Sequence, residues 1–425
     1  MLDSINQAWK VGDLRKKLLF TLFMLLVFRI GAHIPVPGIN AGALDALMQN
    51  QLFGFFDVIS GGAFKRFSIF AMSITPYINA SIIMQLLTVV IPKLEALSKE
   101  GEDGRKKIAE YTRYGTVVLG FIQAFGMAVA FGRVPVGGQM VVQNPGIGSY
   151  LLIALSLTAG TAMLMWIGEQ ITEKGIGNGI SLIIFAGIVA RVPSATVNMF
   201  KMVAAGTLGW WNIILFVIIA LVVIGAVIAM NEGQRRIPVQ YAKRVVGRKV
   251  YGGQSTFLPL KVNAGGVIPI IFAMSLMMFP ASIGSWWPQS AAYQWMQQYF
   301  GMGSVLYNVL YALLIVFFTY FYVAIIFNPM DVADNLKKYG GFIPGIRPGR
   351  PTAEFIDRIL SRLTFAGGVF LALVAVLPNL VIAATGISTL YFGGTALLIV
   401  VGVALDTMKQ IESQLLLRSY KGFVK

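Results

Sequence analysis

Ten stretches of this chain are apolar for long enough to cross a lipid bilayer. They cover roughly residues 18–34, 74–92, 115–132, 150–168, 180–197, 211–230, 264–287, 305–327, 364–384 and 391–408. About 20 residues of helix span the hydrocarbon core. No water satisfies peptide groups inside that core, so each run is confined to a helix. The expected fold class is therefore an all-α integral membrane protein with ten transmembrane helices. Composition agrees: 56% of residues are hydrophobic, 12% are charged and the mean hydropathy is +0.73. The first run comes after Arg15-Lys16-Lys17, as a signal peptide would. It contains Arg29, however, and leads into Pro35-Val36-Pro37-Gly38 without a small-residue cleavage site. It is expected to remain as the first span.

The net charge of +16 has to sit between the runs, and where it sits sets the orientation. Of the 34 basic residues, all but Arg29, Lys65, Arg66, Arg133, Arg191 and Lys201 fall in one set of alternate segments. By the positive-inside rule that set is cytoplasmic, both termini belong to it, and the span count is even. Ten spans divide into two halves of five, about 1–205 and 206–425. An odd number per half forces opposite orientations, the mark of inverted-repeat architectures. A short internal echo points the same way: Ile69-Phe70-Ala71-Met72-Ser73 recurs as Ile271-Phe272-Ala273-Met274-Ser275.

One apolar region is discontinuous. Pro76 suits the first turn of a helix, where its missing N–H is not needed, and it pushes Thr75 away from helical geometry. Upstream, residues 61–71 are apolar but too short to span. Two readings fit. One is a short re-entrant half-helix leading into a pore-lining helix; the other is an outer loop leading into an ordinary span.

Two loops on the basic side, about 231–263 and 328–363, are longer than a connection needs. In the first, Ile237, Val239, Tyr241 and Val245 alternate with polar or basic residues, and residues 246–251 turn the chain, so a projecting β-hairpin with a basic tip is expected. In the second, Pro344 and Pro348 flank Arg347 closely enough to shape its backbone. These loops carry either orientation charge beside anionic lipid or a docking surface for protein or RNA.

The chemistry that is missing narrows the function. There is no cysteine, and His33 is the single histidine, so no metal site or cofactor is expected. No run holds an interior Asp or Glu; Glu169, Glu232 and Asp406 lie at cytoplasmic ends. Coupled transporters place such a carboxylate at mid-membrane. Gly175-Ile176-Gly177-Asn178-Gly179 lacks the spacing and strand context of a nucleotide loop, and fits a tight turn. Arg29 is expected to snorkel outward. Gln85 and Gln123 are expected to bond across helix interfaces, for at most about 1–2 kcal/mol. The classes left open are a passive channel, a secondary transporter of a small solute, and a membrane scaffold.

Many ordered motifs then coincide with one family. They are Phe28-Arg29-Ile30-Gly31 with Ile34–Gly38, Thr75–Ile78 with Ala80–Ile83 and Gln85–Leu87, Tyr111–Tyr114, Gly168–Thr172 with Gly175–Ser181, Gln254–Thr256 with Leu258–Asn263, Ala333–Lys337 with Arg347–Gly349, and Gly393–Thr395. On these the chain resembles, over essentially its whole length, the SecY family, the channel subunits of the bacterial Sec protein translocon. The resemblance implies a protein-conducting channel of the bacterial cytoplasmic membrane, not an enzyme, with ATP or GTP hydrolysed by its partners. It implies a pore ring at Ile74, Ile78, Ile180, Ile184, Ile271 and Ile399. A narrow apolar ring of this kind dewets and blocks ions. It implies a plug at about 57–71, centred on Gly61, Gly62, Ala63, Phe64, Lys65, Arg66 and Phe67. It also implies a lateral gate between spans 2–3 and 7–8, near Gln85, Gln123 and Ser275, where signal sequences and membrane segments leave into membrane lipid. Arg347 would serve docking of the motor ATPase SecA, and Arg248 and Lys249 would contact ribosomal RNA. Arg235, Arg236, Lys243 and Arg244 belong to the same basic surface. The small membrane subunits SecE and SecG are further implied partners, and preproteins are the cargo.

Overall fold

The computed structural model describes residues 7–40, 60–133, 135–136, 139–207, 209–241, 244–246, 249–251, 255–284, 290–291, 295, 299, 304–385 and 394–422. Every predicted run falls on a helix. They are α1 (Gly12–Gly31), α2 (Thr75–Val90), α4 (Glu102–Arg133), α5 (Ile147–Lys174), α6 (Gly179–Val189), α8 (Trp210–Glu232), α9 (Ile268–Gly284), α10 (Val305–Ile326), α12 (Arg350–Thr385) and α13 (Gly394–Gly422). Three shorter helices accompany them: α3 (Pro92–Lys99), α7 (Val192–Ala204) and α11 (Pro329–Lys338). Among the described residues, six helical stretches are long and apolar enough to cross a bilayer unaided. The remaining predicted spans fall on α1, α9, α13 and the pair α2–α3, which bends by 101° at Ile91. Trp210, Trp211, Leu221 and Val222 of α8 are exposed, as are Leu313 and Phe317 of α10. Apolar faces this extensive need lipid, not water, around them.

The helices close into a ring. α1, α2 and α4 pack about α5; α10 packs on α12, and α12 on α13. The two predicted halves meet twice, where α9 lies against α2 and α4 and where α13 lies against α6. One buried cluster runs through the whole ring, from Phe28 and Leu164 to Phe318 and Val403. Between α4 and α5 the chain turns through a small hairpin, β1 (Pro135–Val136) with β2 (Gln139–Met140).

Four expectations shift. Thr75 is the first residue of α2, so the break precedes it by one: Ser73 has φ 52° and Ile74 sits at φ −97°, ψ 11°. The fifth span is interrupted at Ala190–Arg191, where Pro193 restarts the chain as α7. Residues 60–74, the described part of the proposed plug and its exit, form successive turns and not a half-helix; residues 57–59 lie outside the described residues. Positive φ at Gly61 (66°), Gly62 (88°), Phe67 (45°) and Ser73 (52°) forbids helix there. The internal echo is therefore not a structural repeat, because Ile69–Ser73 is turn while Ile271–Ser275 lies inside α9.

On the basic side the predicted hairpin forms. β3 (Gln234–Tyr241) pairs antiparallel with β6 (Ser255–Lys261), with Ile237 opposite Leu258 and Val239 opposite Thr256. A smaller hairpin, β4 (Arg244–Val246) with β5 (Lys249–Tyr251), extends from it. The free edge of β3 then takes a third strand, β7 (Gly341–Phe342), from the second loop. Ile237, Val239, Leu260, Ile343 and Ile356 bury a small core beneath this sheet. The two loops are thus one body. Ile356, on α12, is fully buried in that core, so Ile356→Ala is expected to cost about 2–5 kcal/mol. Faster hydrogen exchange of the β3 and β7 amides, with the membrane helices unchanged, checks this.

Candidate functional site: an isoleucine ring beneath a turn segment

The six isoleucines come from four separate places in the chain. Ile74 caps α2 and Ile78 is in its first turn; Ile180 and Ile184 are one turn apart on α6; Ile271 is on α9 and Ile399 on α13. The structure brings them into a single cluster. Ile74 is fully buried, Ile184 and Ile399 nearly so, and Ile78 and Ile271 keep 8% exposure. Ile180 packs at the margin of the cluster, where its Cδ1 lies 2.6 Å from the place a Cβ on Gly168 would occupy. A Cβ on Gly179 would run into the Gly168 carbonyl, so a glycine at 179 lets the start of α6 approach α5 so closely. The ring straddles both junctions between the halves: α2 meets α9 on one side, and α6 meets α13 on the other.

On the basic side of the ring lies a cavity of about 450 Å³. Its wall includes Asn178, Asn231, Asn263, Asp406 and Gln410, with Ile271 and Val403 nearer the ring. Asn263 donates to Asn231 Oδ1 at 2.8 Å, while its own Oδ1 is buried without a partner. The cavity wall is thus polar except where Ile271, Val403 and their apolar neighbours line it. The tight turn expected at residues 175–179 is present beside it and is held from three sides. Ile176 N–H donates to Thr21 Oγ1, Gly177 N–H to Gln410 Oε1, and Gly179 N–H to Thr172 Oγ1. Nothing in the local sequence announces Thr21 or Gln410 as these partners, because both come from distant helices.

On the other side of the ring the turn segment divides its side chains. Ala63 and Phe70 join the ring's cluster. Phe64 and Phe67 insert between α4 and α5, where Phe67 meets Phe131 edge-on at 5.4 Å. Lys65 and Arg66 are exposed, Gly61 is buried and Gly62 is half-buried. Two backbone bonds tie the segment to residues 34–36: Val36 N–H to Phe67 O (2.9 Å) and Ile69 N–H to Ile34 O (3.0 Å). Gly31 faces the Phe70 ring and Gly160 faces the Ile69 carbonyl, so neither position has room for a Cβ.

The proposed gate residues belong to α2, α4 and α9, three helices that pack against one another. Ser275 is buried, and Gln85 and Gln123 are half-buried. The expected inter-helix bond is not made by Gln85, whose Oε1 is buried without a partner. Arg29 also departs from expectation. It does not snorkel, but turns its guanidinium onto the Gly61 carbonyl at 2.6 Å.

The residues expected to serve docking fall on or near the sheet where they are described. Arg235 and Arg236 are exposed on β3. Arg347 is exposed at the tip of a turn shaped by Gly345 (φ 81°) and Gly349 (φ 99°), and its backbone carbonyl accepts from the Thr352 hydroxyl at 2.8 Å. Arg244 and Lys249 belong to β4 and β5; Lys243 and Arg248 lie outside the described residues.

Comparison with known proteins agrees with this arrangement. The SecY family profile matches residues 68–408. The protein translocase subunit SecY of Halalkalibacterium halodurans is 54% identical over the full length of both chains. That of Escherichia coli K12 is 48% identical, over all of this chain and 97% of its own. Two solved structures share the fold. One, titled as a protein conducting channel, has a TM-score of 0.66 at 20% identity, covering 93% of this chain and 91% of its own. The other, from work on the SecY plug domain stabilising the closed channel, has the same TM-score at 19% identity and the same coverage. Full-length identity near one half, together with that fold and ordered motifs along the chain, places it in a single group: the chain belongs to the SecY family.

Proposed function

We propose that this chain is a passive protein-conducting channel of the bacterial cytoplasmic membrane, with both termini and the β-sheet platform on the cytoplasmic side. Unfolded preproteins pass through the isoleucine ring, and hydrophobic segments leave sideways where α9 parts from α2 and α4. The observation that carries this reading is the ring itself. Six isoleucines, on four helices and the α2 cap, fall in or against one buried apolar cluster, on the helices that join the halves, with a polar cavity lined in part by Ile271. Such a ring resists ions by dewetting, yet offers a passing polypeptide no binding site to stall on. The turn segment at 60–74 is the described part of the plug, and residues 1–205 and 206–425 move as the two halves. Arg347 serves the motor ATPase SecA, and the tip bearing Arg248 and Lys249, with Arg235, Arg236, Lys243 and Arg244, serves the ribosome. Sec61 and Ssh1 channels of the same fold have been solved in ribosome complexes. SecE and SecG complete the membrane unit, and nucleotide hydrolysis belongs to the partners.

The test is preprotein import into proteoliposomes holding the chain with SecE, driven by SecA and ATP and read by protease protection. Protected preprotein that depends on the chain supports the channel. Absence of protection from correctly folded, SecE-bound chain overturns it. No carboxylate in the interior of any predicted span favours the solute transporter.

A further inference from the structure

We infer that Arg29 is the residue that holds the turn segment shut over the pore. Its guanidinium donates to the Gly61 carbonyl at 2.6 Å, across 32 residues of sequence and from a different element. Arg29 is half-buried, and a charge-assisted bond is among the stronger single contacts available. The acceptor is no ordinary loop carbonyl. Gly61 has φ 66°, and a Cβ there would lie 2.8 Å from the Gly187 Cα, so Gly61 rests directly on the backbone of α6. Gly187 is less than one turn beyond Ile184. The clamp therefore closes at the point where the turn segment touches the helix that carries two ring isoleucines.

The segment beyond Gly61 is poised to move. Phe67 and Ser73 hold φ 45° and 52°, a left-handed geometry that side chains other than Asn and Asp resist, and the Ser73 hydroxyl is buried without a partner. A segment in this conformation stays in place only while its anchors hold. The anchors are Arg29 on Gly61, the two backbone bonds to residues 34–36, and Phe67 against Phe131. Arg29 is the charged one, and it reaches the segment from α1, which packs on α5 and α6. Arg29 also sits in the last turn of α1, where a cation complements the helix dipole, but that role needs no contact with Gly61.

This inference rests on reading residues 60–74 as part of the plug, and the experiment separates the two. Resting chloride efflux is measured from proteoliposomes holding the full chain with SecE, without SecA or preprotein. Four proteins are compared: wild type, Arg29→Met, Arg29→Lys, and a chain lacking residues 61–67. Arg29→Met keeps the length and removes the donor. It is expected to raise resting efflux about tenfold, the equivalent of losing about 1.4 kcal/mol from the closed state. Arg29→Lys keeps a charged donor and is expected to restore most of the seal, which a merely structural role for the side chain would not require. Combining Arg29→Met with the deletion is expected to add nothing to the efflux of the deletion alone. If the deletion leaks and Arg29→Met does not, the clamp is wrong and the plug reading survives. If the two effects add, Arg29 acts elsewhere and the clamp is again wrong. If the deletion itself does not leak, both readings fall.

Discussion

A chain carrying Ile78→Ser and Ile271→Ser is expected to leak ions at rest, where the wild type is expected to stay sealed. These two ring residues belong to α2 and α9, on opposite sides of the seam between the halves, and each keeps 8% exposure within the cluster. Serine hydroxyls at the waist give water hydrogen-bonding partners where isoleucine gives none, so a file of water forms where the closed pore is dry. If wetting becomes easier by only about 1.4 kcal/mol, the conducting fraction rises about tenfold. The control is Ile153→Ser. Ile153 is fully buried, but in the separate cluster between α4 and α5. It is expected to lower thermal stability without raising conductance. Planar-bilayer current without preprotein distinguishes the two. Equal leak from ring and control variants would mean that any core damage opens the membrane, and the ring would lose its special role.

Arg347→Glu is expected to abolish motor-driven translocation under the proposed docking role, and to leave the fold intact. The loop that presents Arg347 is held by its own framework: β7 on β3, Ile343 buried in the platform core, positive φ at Gly345 and Gly349, and the Thr352 hydroxyl on the Arg347 carbonyl. None of these uses the guanidinium, which is exposed. An exposed substitution of this kind changes stability by about 0.5 kcal/mol or less, so the effect falls on docking. Reversing the charge replaces attraction to an acidic partner surface with repulsion, and a drop of more than about tenfold in protected preprotein is expected. Arg347→Lys keeps the charge and loses the planar fork, so an intermediate loss is expected. Undiminished translocation by Arg347→Glu would move the docking site elsewhere on the platform.

The two platform loops also show how far local patterning reaches. The alternation at Ile237, Val239 and Tyr241 announces a strand, and the turn beyond it announces a hairpin. The third strand does not announce itself. Gly341-Phe342 is too short and too plain to carry a period, and its partner lies a hundred residues away. Pairing at a sheet edge depends on which edge is left free once the chain has folded. The turn segment at 60–74 misleads in the opposite direction. Its apolar run suggests helix, but Gly61 and Gly62 take positive φ, and Phe67 and Ser73 are held there by packing that no periodicity contains. Arg29 reads from sequence as a cation near a membrane surface, and only the arrival of Gly61 beside it changes its role.

The sequence by itself determined the number of spans, the gathering of basic residues in alternate loops and the absence of a coupling carboxylate. Each comes from one-dimensional rules: hydrocarbon thickness, the cost of unpaired peptide groups in lipid, and the placement of charge. The ordered motifs added the family. Only the tertiary structure decided that six isoleucines fall in or against one cluster, that a glycine at 61 or 179 lets two backbones touch, and that the basic loops are one sheet. Those outcomes depend on contacts between residues far apart in the chain. Their energy lies in packing and in single hydrogen bonds, neither of which leaves a periodic trace in sequence.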